Sequence, residues 1–221
     1  MVMKLAISLI AFVLTGSVFA MDDAPPPQVL FKNVNIFNGI DDELYENHQV
    51  LVEGNKIKEI SAGEIKAGSQ ATVIDGGGRT LMPGLIDMHV HPATFGPLQT
   101  LSRDMLHPYA HGALAVDRAH GMLLNGFTTV RDLGGPANYL RKIIDAGVVP
   151  GPRIYPTENW ITTTSGHGDF RELNDPHPNI AGGRQHFYED YVTIIADGRD
   201  EHLRAAREAF GRGRTNQTVV S

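Results

Sequence analysis

No cysteine occurs in the 221 residues. Disulfides are therefore excluded, stability must come from core packing, and a metal would have to be held by histidine, carboxylate or a modified lysine. Positive charge is also scarce: 19 Lys and Arg stand against 25 Asp and Glu, a net charge of -6 without a basic stripe. That argues against nucleic acid as a partner, because nothing would displace counterions from a phosphate backbone. Long apolar runs are missing after the N-terminus, and the run at residues 5–14 is shorter than the about 20 residues a membrane span needs. No Gly-x-Gly-x-x-Gly turn joins a strand to a helix, so a dinucleotide-binding domain is not indicated. No lysine follows Lys142.

The first twenty residues have the layout of a secretory signal. Lys4 supplies a positive charge, residues 5–14 an apolar core, and Val18-Phe19-Ala20 a small-residue cleavage site. The expected mature chain starts with an extended stretch at residues 21–28 and is exported, periplasmic or secreted, with no membrane association after cleavage. Between residues 29 and 82 short apolar runs alternate with turns. Strands are expected at 29–36, 48–52, 57–60 and 72–75, with a hairpin turn at Gly54-Asn55. The run Gly76-Gly77-Gly78 is read as a turn, since neither a following helix nor a Lys-Ser/Thr pair makes it a phosphate cradle. A small β domain is the expectation for this region.

After Pro83 the pattern becomes strand, helix, strand. Helices are expected at 110–124, 138–146 and 202–210, the last capped by Asp200, with strands at 128–131 and 153–157. Gly126 and Gly147 stand where the first two helices should stop. The inward stripes would be Ala113, Val116, Ala119 and Leu123; then Leu140, Ile143 and Ile144; then Leu203, Ala206 and Phe210. Such βα units build parallel sheets. The 139 residues from 83 to 221 suffice for three or four units, against the about 250 residues of a complete (β/α)₈ barrel.

The richest segment is Pro83-Gly84-Leu85-Ile86-Asp87-Met88-His89-Val90-His91-Pro92. In a regular strand Asp87, His89 and His91 would share one face, with Ile86, Met88 and Val90 on a helix-covered opposite face. Two imidazoles converging from a rigid element form a candidate divalent-metal site, and their polar face would be costly to bury without a ligand to satisfy it.

This segment resembles the first barrel strand of the amidohydrolase superfamily. Thr128-Thr129-Val130-Arg131-Asp132-Leu133-Gly134-Gly135 resembles the second strand and its loop. Gly151-Pro152-Arg153-Ile154 with Thr164-Ser165-Gly166-His167-Gly168 resembles the third. The likeness runs from about residue 29 to residue 213, nearest to the branch of imidazolonepropionase and the prolidase-like Xaa-Pro dipeptidases. The resemblance implies an α/β fold: the N-terminal part of a metal-dependent hydrolase barrel, incomplete here, preceded by a small β domain. It implies His89 and His91 as ligands of a divalent metal, commonly zinc, one or two ions in a complete member. The substrate would be a small-molecule amide, cyclic or an Xaa-Pro-type dipeptide, attacked by metal-bound water.

His167 falls in the substrate pocket by resemblance, although an ordinary loop histidine has the same sequence signature. Arg131 and Asp132 suit either substrate or loop positioning, or a structural ion pair. Asp87 would support a ligand rather than bind metal itself. Tyr155 and Trp160 could wall a pocket or simply pack. His107, His111, His120, His177, His186 and His202 show no paired spacing and are read as structural or solvent-facing.

The family's carboxylated fourth-strand lysine, its fifth- and sixth-strand histidines and its eighth-strand aspartate, the general base, have no counterpart in these residues. Residues 214–221 depart from the family's pattern, and a frameshift or stop near Gly213 is the expectation that accounts for this. A second expectation follows, an inactive fragment or a binding module. The sequence leaves homo-oligomerisation open.

Overall fold

The computed structural model describes residues 25–93, 108–171, 176–177, 180, 193–212, 215 and 218–219. The expected signal segment, His107 and His186 lie outside the described residues. The chain divides into two compact units, one ending at Met82 and one beginning at Pro83.

The first unit is a β-sheet. β1 (Gln28–Ile36) runs antiparallel to β2 (Tyr45–Glu53), which pairs antiparallel with β3 (Lys56–Ser61). Glu53 faces Lys56 across the turn at Gly54-Asn55, a two-residue hairpin loop. β4 (Thr72–Asp75) and β5 (Thr80–Leu81) both pair parallel with β1. Alternation along β2, and a register shift in β1 between Phe31 and Val34, sort their side chains into two clusters. Leu30 and Leu51 pack with Ile65, while Val34, Ile36 and Val50 pack separately with Phe31, Val52 and Leu81. The glycine run is a turn: Lys32 and Asn33 carbonyls accept the N–H groups of Gly76 and Gly78.

The second unit is built of parallel βα units. β6 (Leu85–Val90), β7 (Phe127–Asp132) and β8 (Arg153–Tyr155) form one parallel sheet. α1 (Pro108–Leu124) and α2 (Ala137–Asp145) connect them. Gly126 and Gly147 follow the helices with φ of +90° and +70°, left-handed values that cost glycine little. β9 (Trp160–Thr162) pairs parallel with β10 (Thr193–Ile195), which leads into α3 (Gly198–Gly211). Ile161 also makes a parallel bridge to Val219. Strands β9 and β10 were not expected from the sequence. Three residues each are too short for an alternation signal, and their β character comes from pairing across a long separation.

The core lies between the β6–β8 sheet and the first two helices. Val90, Val130 and Ile154 meet Ala115 and Ala119 of α1 and Ala137 and Leu140 of α2. The small residues on α1 bring the helix close to the sheet. Its buried stripe is His111, Ala115 and Ala119, whereas Ala113 is exposed, so the expected stripe is rotated on the helix. On α2, Leu140 is buried and Ile144 packs on the core, but Ile143 is exposed.

The expected start of the last helix is also corrected. α3 begins at Gly198 with Asp197 as its N-cap residue, and Asp200 lies in the first turn with Glu201, where a negative charge suits the helix dipole. The Asp197 side chain is occupied by Thr164, and Glu201 reaches back to the Asp197 N–H at 2.7 Å. Ala205 and Ala209 are buried, while Leu203 and Phe210 are exposed.

Candidate metal centre at the end of the first parallel strand

Strand register places the histidines differently from simple alternation. Asp87 pairs with Val130 and Val90 with Asp132. Val130 and Asp132 are two apart and share a face, so Asp87 and Val90 share that face although they are three apart. An extra residue in β6 is a bulge, which re-aims the side chains after it. Asp87 therefore does not share the period-two face with His89 and His91. Its carboxylate instead accepts the His89 N–H at 2.9 Å and braces the bulged backbone.

The expected apolar face is corrected for the same reason. Val90 is buried in the core, but Ile86 and Met88 are 63% and 58% exposed. They line an open groove of about 410 Å³ with Thr129, Arg131, Tyr155 and Thr215.

The His89 and His91 rings lie edge to face with centroids 5.4 Å apart. His91 is half-buried, and its Nδ1 lies 3.2 Å from the Gly134 carbonyl oxygen. A carbonyl only accepts, so Nδ1 carries the proton and Nε2 keeps its lone pair. Burial holds the His91 imidazole below its usual pKa, against the opposing pull of the Gly134 hydrogen bond. A neutral ring with a free Nε2 is the state a metal ligand requires. The donor chemistry of this pair fits a divalent metal. Among the described residues, no group of three His, Asp or Glu side chains is arranged to hold one.

Around His91 the packing is tight. Trp160, the single tryptophan, stands edge to face with His91 at 5.7 Å and tilts against Phe170 at 5.8 Å. Gly134 makes room for the indole, since a Cβ there would lie 2.3 Å from Trp160 Cε3. Trp160 thus packs rather than walling an open pocket, and Tyr155 lines the groove. Gly168 also lies against the indole, where a Cβ would fall 2.2 Å from Nε1. That contact brings the loop carrying His167 toward the same tryptophan, with the His167 side chain itself exposed. The loop is braced by Asp169, which accepts the Ser165 N–H and a two-point contact from Arg171. Arg171 holds the Asp169 carboxyl down at about 2.

Arg131 and Asp132 separate to opposite faces of β7, as neighbours on a strand must. Arg131 lines the groove, while Asp132 is fully buried, so of the two readings the ion pair between them does not form. Asp132 Oδ1 accepts the Gly134 N–H at 3.2 Å and Oδ2 the Thr157 N–H at 3.3 Å. Burial raises the Asp132 carboxyl to about 7, opposed by hydrogen bonds from the backbone of Gly134, Thr157 and Glu158. Asp132 thus positions loops, one of its expected roles, whereas Gly134 was the residue least legible as part of this site. Its only local signal is the Gly-Gly pair after β7.

Of the other histidines, His111 is buried and contacts the Ala93 carbonyl, a structural role. His177 lies 3.7 Å from Asp197, and His202 contacts the Gly198 carbonyl.

The sequence profile of the Amidohydrolase family matches residues 80–218. The chain belongs to this family. It is 33% identical over 144 residues to an ochratoxinase of Aspergillus niger, covering 60% of this chain and 29% of that protein. A solved prolidase complexed with N-methylphosphonate-L-proline superposes with a TM-score of 0.74 at 30% identity, covering 87% of this chain and 46% of its own. A solved Xaa-Pro dipeptidase with bound methionine gives a TM-score of 0.72 at 26% identity, over 87% of this chain and 46% of its own. The amidohydrolase chain thus spans 29% of the curated relative and under half of the solved ones.

Proposed function

We propose that this chain carries part of the active centre of a metal-dependent hydrolase of carbon–nitrogen bonds, acting on a cyclic amide or an Xaa-Pro-type dipeptide. The observation that carries the reading is His91, whose Nδ1 is committed to the Gly134 carbonyl while its neutral ring lies against His89. His89 and His91 would hold the divalent metal, zinc by preference for imidazole donors. When bound, such an ion would lower the pKa of a coordinated water to about 7 and would polarise a carbonyl. Asp87 holds the His89 backbone, and Gly134 keeps the His91 proton on Nδ1. His167, in the loop that packs on Trp160, and Arg131, in the groove beside β6, would contact substrate. The prolidase and Xaa-Pro dipeptidase among the relatives favour the dipeptide over the cyclic amide.

The parallel βα units fit the first part of a (β/α)₈ barrel, with the β-sheet of residues 28–81 as the accompanying small domain. The leader-like first twenty residues support export to the periplasm or beyond.

Counting metal per chain in the purified full chain tests the proposal, together with proline release from Xaa-Pro dipeptides. Zinc retained by the parent and lost in both His89→Ala and His91→Ala is the expected result. Equal zinc content in all three proteins refutes the ligand assignment. The lack of a three-donor cluster among the described residues favours a second reading, a binding module without turnover. A zinc-free, monodisperse chain that binds an Xaa-Pro dipeptide without cleaving it would establish that reading.

A further inference from the structure

We infer that Asp132 is a positioning residue that sets the tautomer and ring orientation of His91 through the Gly134 backbone. Its consequence for metal affinity rests on the reading of His91 as a ligand. The connection is short and continuous. The Asp132 carboxylate accepts the Gly134 N–H at 3.2 Å, and the Gly134 carbonyl faces His91 Nδ1 at 3.2 Å.

The same carboxylate accepts the Thr157 N–H at 3.3 Å and the Glu158 N–H, so it ties the loop after β7 to the loop after β8. Two backbone bonds run alongside. The Gly135 N–H reaches the Glu158 carbonyl at 2.9 Å, and the Leu133 N–H reaches the Val90 carbonyl at 3.0 Å. Gly134 is thereby held from both ends, with the Trp160 ring against its α-carbon. Asp132 fixes the peptide before the Gly134 α-carbon and Glu158 the peptide after it, and a residue held on both sides presents its carbonyl in one direction. That direction keeps the His91 proton on Nδ1 and leaves Nε2 for a ligand. A partner bonded directly to a ligand, as the Gly134 carbonyl is to His91, changes metal affinity by about 10- to 100-fold when altered, and Asp132 acts one hydrogen bond further out.

Asp132→Asn keeps the side-chain volume but replaces one acceptor oxygen with an NH₂ donor, so one group of backbone N–H donors loses its acceptor. The test is made on metal-free full chain carrying ¹⁵N-histidine, with His91 assigned by its absence in His91→Gln. Long-range ¹H–¹⁵N spectra report which ring nitrogen bears the proton. The parent protein is expected to show His91 protonated on Nδ1. Folded D132N is expected to show a mixture of tautomers and zinc affinity weaker by up to about tenfold in chelator competition.

Unchanged tautomer and zinc affinity in folded D132N overturns the inference. Should D132N fail to fold, the parent decides alone: His91 protonated on Nε2 there overturns it as well. The two readings fail separately. Zinc binding that survives His91→Ala removes the ligand assignment, while the tautomer in D132N still judges Asp132.

Discussion

Gly134→Ala isolates a single close contact beside His91. The added Cβ would lie 2.3 Å from Trp160 Cε3 and 2.5 Å from Cζ3, whereas ordinary contacts start at 3.4 Å. The indole must therefore recede by about 1.1 Å or carry the Gly134 backbone with it. Neither is free, because the ring is wedged between His91 and Phe170 and the backbone is held by Asp132. Gly134 does not have a positive φ, so alanine brings no backbone strain and the effect is steric alone. Overpacking of this kind costs about 1–3 kcal/mol. For a chain of this size each kcal/mol lowers Tm by about 2–4 °C. Trp160 is the only tryptophan, so its emission reports on the contact directly. The expected outcome is a shifted emission maximum, an earlier denaturation midpoint and weaker zinc binding. An unchanged emission spectrum together with an unchanged midpoint would refute the packing described around His91.

Three further outcomes are expected. The Asp132 carboxyl sits near 7 when folded against 3.8 ordinarily, so the native state binds the extra proton between those values. Stability should accordingly fall as pH rises from about 4 to about 7, by at most about 4 kcal/mol at 1.36 kcal/mol per pH unit of difference. Guanidinium melts at pH 4.5 and 7.5 should show this slope in the parent and a flatter one in D132N; equal slopes would contradict it. Arg171→Ala should loosen the loop of residues 163–171, because Asp169 loses its two-point partner. Faster amide exchange at Ser165 in that variant, relative to the β7 amides, is the measurement. The Asp169 carboxyl is depressed to about 2, so its contribution in the parent is present above about pH 4 and fades as pH falls toward 2. Finally, Ala119→Leu should destabilise by about 1–3 kcal/mol, since Ala119 is fully buried where α1 meets the sheet; an unchanged chemical-denaturation midpoint would show that the core has slack.

Much of the architecture was readable where local pattern and tertiary demand agree. β4 coincides with its expected span, the hairpin turns at Gly54-Asn55, and α1 and α2 stop before Gly126 and Gly147. The family was readable from three ordered motifs, and the profile match over residues 80–218 agrees. The helix faces were less legible. Ala119 was expected inward and is buried, but alanine carries little hydropathy signal, and Ala115, Ala205 and Ala209 are also among the buried positions, because close helix packing selects small side chains over the larger Leu203 and Phe210.

By itself the sequence determined the βα alternation, the lack of disulfides and the paired histidines at the end of β6. Each is written in residue type and short-range spacing. Only the tertiary structure decided how those histidines are held. The bulge in β6 exists in its register with β7, not in the alternation of residues 85–91. The Asp132 carboxyl acquired its raised pKa from burial, and its partners Thr157 and Glu158 come from another loop. Gly134 meets His91 across 43 positions of sequence and meets Trp160 in the same space. Contacts between distant segments depend on strand register and packing, which a reading of local period does not contain.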